Sequence, residues 1–344
     1  GPSGLMAALT AGRYGARVIL VEDDFELGGS LLARSHEGQI DSWLVAIIAE
    51  LESIPNIRIM RRTCVFGAYD NLVFGLVERV NEYPTDAESF QPRQRYWVVR
   101  ARQAIIATGM IERPIIFGNN DLPGIMLASA ARTYVNRFSV SVGRKIVVFT
   151  NNNSAYDAAI DLSVAGSDVT IIDTRSDIDD ELIRSGLEAG VTLHQGKAIA
   201  RANGRKSVRS VDVIEFDCTQ LQPAKIKFNL TCDALLVSGG WTPTLHLISQ
   251  RGPKPVYDEN LAMFVASVLP DGFHLAGAAA LSFGLQSCVS SGERAGYAAA
   301  KECGFSPPQI GETILPELPN DEIDINTVAL WEVPDILGLK SMMK

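Results

Sequence analysis

No C-x-x-C pair occurs in the 344 residues, whose cysteines are Cys64, Cys218, Cys232, Cys288 and Cys303. That spacing offers neither a redox disulfide nor a zinc knuckle, so the cysteines read as buried apolar fillers in a reducing cytoplasm. Histidine is scarce: His36, His194, His246 and His274 lie far apart without metal-ligand spacing and read as structural or surface residues. No basic cluster interrupts a net charge of −9, which argues against nucleic acid or an anionic membrane as partner. No apolar run is long enough to span a bilayer and no signal peptide is visible, so the expected compartment is the cytoplasm. No residue pair reads as a convincing acid, base or nucleophile. Asp121, Arg113 and Arg132 are polar candidates near a linker that loop or interface structure explains equally well.

What is present begins at the first residue. "GPSGLMAALTAGRYGARVILVEDD" carries the last half of a Gly-x-Gly-x-x-Gly turn, a small-residue helix and an apolar strand ending in Glu22. Gly1 fits the glycine that lets backbone approach a pyrophosphate, and Gly4 the one that lets the helix pack on a strand. Glu22 stands where an acid binds adenosine ribose hydroxyls. The opening strand and first glycine of the pattern are absent. That absence would leave a gap in the centre of the sheet and reads as a piece of a longer reading frame.

Hydrophobic content of 47% with 21% charged residues is ordinary for a globular enzyme, and the length allows two domains with full cores. Residues 39–54 have helical spacing, and "IRIMRRTCVFGAYD" reads as one strand. "LVFGLVERV", "RYWVVRA" and "QAIIATG" follow as a strand meander returning to the main sheet, where Thr108 and Gly109 end the last strand against the nucleotide. After a Pro/Asn linker and the helix "LASAARTYVNRF", a second βαβ pattern runs from "RKIVVFT" to "DVTIIDT", again ending in an acid, Asp173. Its turn reads Thr-Asn-Asn-Asn-Ser-Ala, whose side chains fill the space a pyrophosphate needs, so this nucleotide site reads as lost. "VTLHQGKAIARANG" reads as a strand and "TCDALLVSGGWTPT" as a returning one, with Gly239 and Gly240 matching Ala-Thr-Gly in role.

The expected fold is α/β: two Rossmann-like dinucleotide-binding domains, the second inserted into the first as in flavoprotein disulfide reductases. Residues 1–115 and 272–305 would form the first domain and 116–271 the linker helix and second domain. Residues 306–344 read as a Pro/acid-rich linker toward a further domain. In such reductases the last strand commonly ends in Ala-Gly-Asp, with the Asp on the flavin side. Here the segment is Ala276-Gly277-Ala278-Ala279.

Three segments, "ATGMIERPIIFGNNDLPGIMLASAARTYVNRF", "VVFTNNNSAYDAAIDL" and "LLVSGGWTPTLHL", resemble the alpha subunits of bacterial heterotetrameric sarcosine oxidases. The resemblance runs from Gly1 to about Pro334; the final "DILGLKSMMK" does not match. It implies an NAD-binding region within a complex of alpha, beta, gamma and delta subunits. Such a complex oxidises sarcosine with oxygen and water to glycine, formaldehyde and hydrogen peroxide, or passes the one-carbon unit to tetrahydrofolate on a C-terminal domain. FAD and covalent FMN would belong mainly to the beta subunit side, and this region alone would not be catalytic. Carried over by position, NAD would lie on Gly1, Ser3 and Gly4, on Glu22 with neighbouring Asp23, and beside Ser30. Val65 would receive adenine, while Ala278, Phe283 and Leu285 would line the place of the missing acid. Two alternatives stay open: a subunit of a related amine or opine dehydrogenase, and a scaffold in which the nucleotide only stabilises the fold.

Overall fold

The computed structural model describes residues 1–34, 38–82, 90–217, 226–306, 315–318 and 327–333. His36, Cys218 and the terminal "DILGLKSMMK" lie outside the described residues, as does most of the Pro/acid-rich segment.

The strand Lys145–Thr150 shows how the second domain is built. Its run KIVVFT is apolar on both faces because both are covered: Ile146 and Val148 pack with the helical residues Ala155, Ala159 and Leu162, while Val147 and Phe149 pack with Ala198, Val211 and Val213. The parallel sheet has the order Thr192–His194, Asp168–Asp173, Lys145–Thr150, Ala234–Ser238, Ile125–Leu127. Helices Ala128–Phe138, Ser154–Val164 and Asp180–Glu188 cover one face, and an antiparallel meander of Lys197–Gly204, Val208–Glu215 and Ile226–Thr231 covers the other.

The first domain holds two separate parallel pairs, Val18–Val21 with Ile57–Met60 and Ala104–Ile106 with Phe273–Leu275. Among the described residues no backbone pairing joins them, and one cavity is lined by both Val18–Val21 and Ala104–Ile106. Helix Pro2–Arg13 lies over this region and buries Leu5 and Leu9 against Trp43, Ile47 and Leu51 of helix Gly38–Ser53. Helix Leu285–Glu302 packs against it so closely that a Cβ on Gly292 would fall 2.2 Å from the Ser3 carbonyl oxygen, and one on Gly296 2.5 Å from that of Ala7. The meander Thr63–Tyr69, Val73–Arg79, Gln94–Arg100 completes the domain.

Several expectations are corrected. "IRIMRRTCVFGAYD" is two strands, broken where Arg62 takes φ +53° and its N–H donates to Asp24 O at 2.9 Å. "VTLHQGKAIARANG" likewise divides at Gly196, φ +61°, so its first part joins the parallel sheet and its second the meander. Helix Asp180–Glu188 was not foreseen; its capping residue Asp179 accepts from the N–H groups of Glu181 and Leu182. The chain re-enters the first domain's core before residue 272, since Leu245 and Ile248 pack with Met60, Phe74 and Phe273. Leu330 and Val333 lie in the second domain's core, so residues 327–333 pack on the body instead of linking away from it. Of the cysteines, only Cys232 is buried among those described; Cys64 is exposed, and Cys288 and Cys303 are half-buried.

Candidate functional site

Gly1 caps helix Pro2–Arg13, so the helix's unpaired N–H groups open onto the cavity that also runs between strands Val18–Val21 and Ala104–Ile106. A Cβ on Gly29, which has φ +61°, would fall 2.6 Å from Gly1 Cα, so only glycine lets the Gly28-Gly29 turn approach this end. Gly4 faces the end of strand Ala104–Ile106, where a Cβ would sit 3.3 Å from Ala107 Cβ. Ser3 is buried beneath Gly277, where a Cβ on that glycine would meet Ser3 Oγ at 2.1 Å.

Glu22 Oε2 lies 3.7 Å from Gly1 N, and Oε1 accepts from the Asp24 N–H at 3.2 Å. Glu22 and Gly1, expected at the ribose and the pyrophosphate, thus share one wall. Asp23 also lines the cleft, but its carboxylate is held by Arg79 Nη2 at 2.7 Å. Ser30 is exposed beside Gly29. Thr108 donates its hydroxyl to Thr244 O at 2.7 Å, and Gly109, φ +67°, accepts from Thr244 N–H at 3.0 Å, tying the strand end to the crossover. Val65, Ala278 and Phe283 are half-buried in the lining. Leu285 borders the same cleft at the start of its helix, yet its side chain is 1% exposed in the core with Leu5, Leu9 and Trp43. All the residues expected at a dinucleotide therefore border this one cleft. Arg132 borders it too, paired with Asp157 and Asp161, whereas Arg113 stacks on Trp331 at 4.0 Å elsewhere and Asp121 is exposed away from the lining.

The corresponding turn of the second domain borders the same cleft at Asn152, Asn153 and Ser154, and its side chains are taken up by hydrogen bonds within the fold. Asn152 Nδ2 donates to Ser238 O and Oγ at 3.1 and 3.0 Å, bridging the carboxyl ends of the two strands between which a nucleotide would enter. Asn151 Nδ2 donates to Val328 O at 2.6 Å, drawing residues 327–333 across the turn. Asp173 is fully buried and accepts from Arg175 Nη2 at 2.7 Å and from Tyr156 OH at 3.0 Å. Burial beside that carboxylate pushes the Tyr156 hydroxyl far above its ordinary value, so it stays a proton donor.

Sequence reasoning did not single out Glu112, Asp24, Asn136 or Arg137. Glu112 is 4% exposed on the cleft wall, with its carboxyl raised by burial and one oxygen accepting from Ser129 N–H at 2.8 Å. Nothing in "MIERP" marks it. Among the described residues no cluster of His, Cys, Asp or Glu could hold a metal, and no helix is long and apolar enough to cross a membrane.

The sequence pattern of the pyridine nucleotide-disulphide oxidoreductases matches residues 66–262, more than half of the chain. The chain belongs to that family. Sarcosine oxidase subunit alpha from Rhizobium meliloti is 38% identical over 98% of this chain and 33% of its own length. The protein of the same name from Corynebacterium sp. (strain P-1) is 37% identical over 98% of this chain and 35% of its own. The chain thus spans about a third of the length of these curated relatives. Among solved structures, thioredoxin reductase from T. acidophilum superposes with a TM-score of 0.65 at 16% identity, covering 88% of this chain and 96% of that one. L-proline dehydrogenase from P. horikoshii superposes at 0.64 and 21% identity, covering 89% and 55%. These likenesses show the flavoprotein disulfide-reductase-like fold of the family.

Proposed function

We propose that this chain is the NAD-binding region of a sarcosine oxidase-type alpha subunit, acting within an oxidoreductase complex and carrying one dinucleotide, in its first domain. The observation that carries the reading is Glu22 standing beside the glycine-capped start of helix Pro2–Arg13, against a second-domain turn whose Asn152 side chain is taken up by hydrogen bonds to Ser238. The residues fit a dinucleotide. Backbone N–H groups at Pro2–Arg13 would face the pyrophosphate, Glu22 would accept from the ribose hydroxyls, and Ser30 would donate from the glycine turn. Ala278 leaves no carboxylate where a flavin's would be expected, which favours NAD over FAD here.

NAD, when bound, can supply hydride acceptance. In this reading sarcosine is oxidised on a beta subunit carrying FAD and FMN, with gamma and delta subunits completing the complex. A folate-binding domain would follow this region, and the complex would work in the cytoplasm.

Mass identification of the nucleotide released from the purified protein tests the reading, together with Glu22→Ala. NAD is expected, with NAD content falling at least about tenfold in the variant while flavin content holds. FAD released in proportion to this chain, and lost with Glu22→Ala, would overturn it.

A further inference from the structure

The acid strand ends in a dense run of negative charge, Glu22-Asp23-Asp24-Phe25-Glu26. An anionic dinucleotide would be repelled by four carboxylates at its ribose, so the disposition of the other three decides whether Glu22 can serve. Arg79 takes Asp23. Arg137 takes the remaining two: Nη1 and Nη2 grip Asp24 at 2.7 and 2.9 Å, and Nη2 reaches Glu26 at 2.9 Å. The guanidinium is 13% exposed, lying 4.6 Å from the Phe25 ring centroid and 5.3 Å from that of Phe138. Asp24 in turn shapes the loop, accepting from the Phe25 and Glu26 N–H groups while its own N–H holds Glu22 Oε1.

Arg137 belongs to the other domain. Helix Ala128–Phe138 buries Ala128 and Ala131 in the second domain's core, and Arg132 pins it to Asp161 at 2.6 Å. One residue before Arg137, Asn136 Nδ2 donates to Ala33 O at 3.0 Å, at the end of the 3-10 turn Gly29–Ala33, and to Asp161 Oδ2 at 2.7 Å. A single helix of the second domain therefore holds both the acid loop and the glycine turn of the first.

We propose that the second domain serves the first domain's nucleotide site, with Arg137 as a positioning residue that neutralises Asp24 and Glu26 and aims Glu22, and Asn136 holding the glycine turn. This rests on the NAD reading above and gives the second domain a function. Cofactor affinity is thereby coupled to how the two domains sit on each other, through charge pairing that salt can screen.

The test is NAD titration into the nucleotide-stripped full-length protein at low and high salt. For Arg137→Ala, affinity falls about tenfold at low salt, and the deficit shrinks to about threefold or less at high salt. Adding Asp24→Asn and Glu26→Gln to that variant restores affinity toward wild type, because the charges it exposed are gone. A merely structural loss would show neither salt recovery nor rescue, and either failure overturns the proposal. Should Arg137→Ala not fold, Arg137→Lys keeps the charge without the bidentate grip; it should lose less than about threefold, and a full tenfold loss independent of salt overturns the proposal. Wild-type protein that takes no NAD would overturn the underlying reading; wild-type binding with an unchanged Arg137→Ala would overturn this one alone.

Discussion

Burial raises the Glu112 carboxyl above the ordinary 4.5, against the opposing hydrogen bonds from Ser129 and Ser238. A raised folded value means that stability is full below the unfolded value and is lost as pH rises through the folded one. Glu112→Gln keeps the acceptor for Ser129 N–H without the charge. It should be more stable than wild type at pH 8, with the difference vanishing once the pH falls low enough to protonate the carboxyl in both folded and unfolded chains, as read by thermal melts across pH. Asp24 has the opposite sign: the Arg137 hydrogen bond lowers its carboxyl below 3.8, so its contribution is present above that value and is lost as pH falls through the lowered one. Asp24→Asn should therefore flatten the acid limb of the melt. Glu22 was legible in the sequence because it follows an apolar strand at a fixed distance from the glycines. Glu112 and Arg137 were not, since what distinguishes them is burial and a partner 113 residues away in the chain.

Helix Leu285–Glu302 meets helix Pro2–Arg13 through glycines, backbone against backbone. Gly292→Ala would bring a Cβ against the Ser3 carbonyl, a contact that no side-chain rotation relieves. Denaturant titration should show a loss of about 1–3 kcal/mol, with NAD content falling in parallel if Ser3 lies, as proposed, in the turn that faces the pyrophosphate. The sequence marked this helix by its small residues, yet which helix they would face was open. The elements it gave correctly are those whose period matches their burial, such as KIVVFT, buried on both faces. It failed at Arg62 and Gly196, where a single positive φ divides a continuous apolar-rich run; a non-glycine residue in that conformation is held by its tertiary hydrogen bonds.

At the scale of the molecule, residues 327–333 lie across the second domain's turn and pair with Ile116: the Ile116 N–H donates to Trp331 O at 2.9 Å and the Val333 N–H to Ile116 O at 2.8 Å. Leu330, 6% exposed, is a core residue there. Leu330→Ala should cost about 2–4 kcal/mol of second-domain stability in chemical denaturation, whereas a solvated linker residue would change it by less than about 0.5 kcal/mol. By itself the sequence determined the α/β class, the half-fingerprint with Glu22 and the loss of glycines from the second turn, because these depend on local periodicity and on backbone freedom at fixed spacing. Only the tertiary structure decided that Asn152 ties the second turn to Ser238, that Leu330 belongs to that domain's core, and that Arg137 crosses between domains to the acid loop. Those outcomes depend on which distant charges and apolar surfaces meet, and burial and charge pairing act across space without regard to separation along the chain.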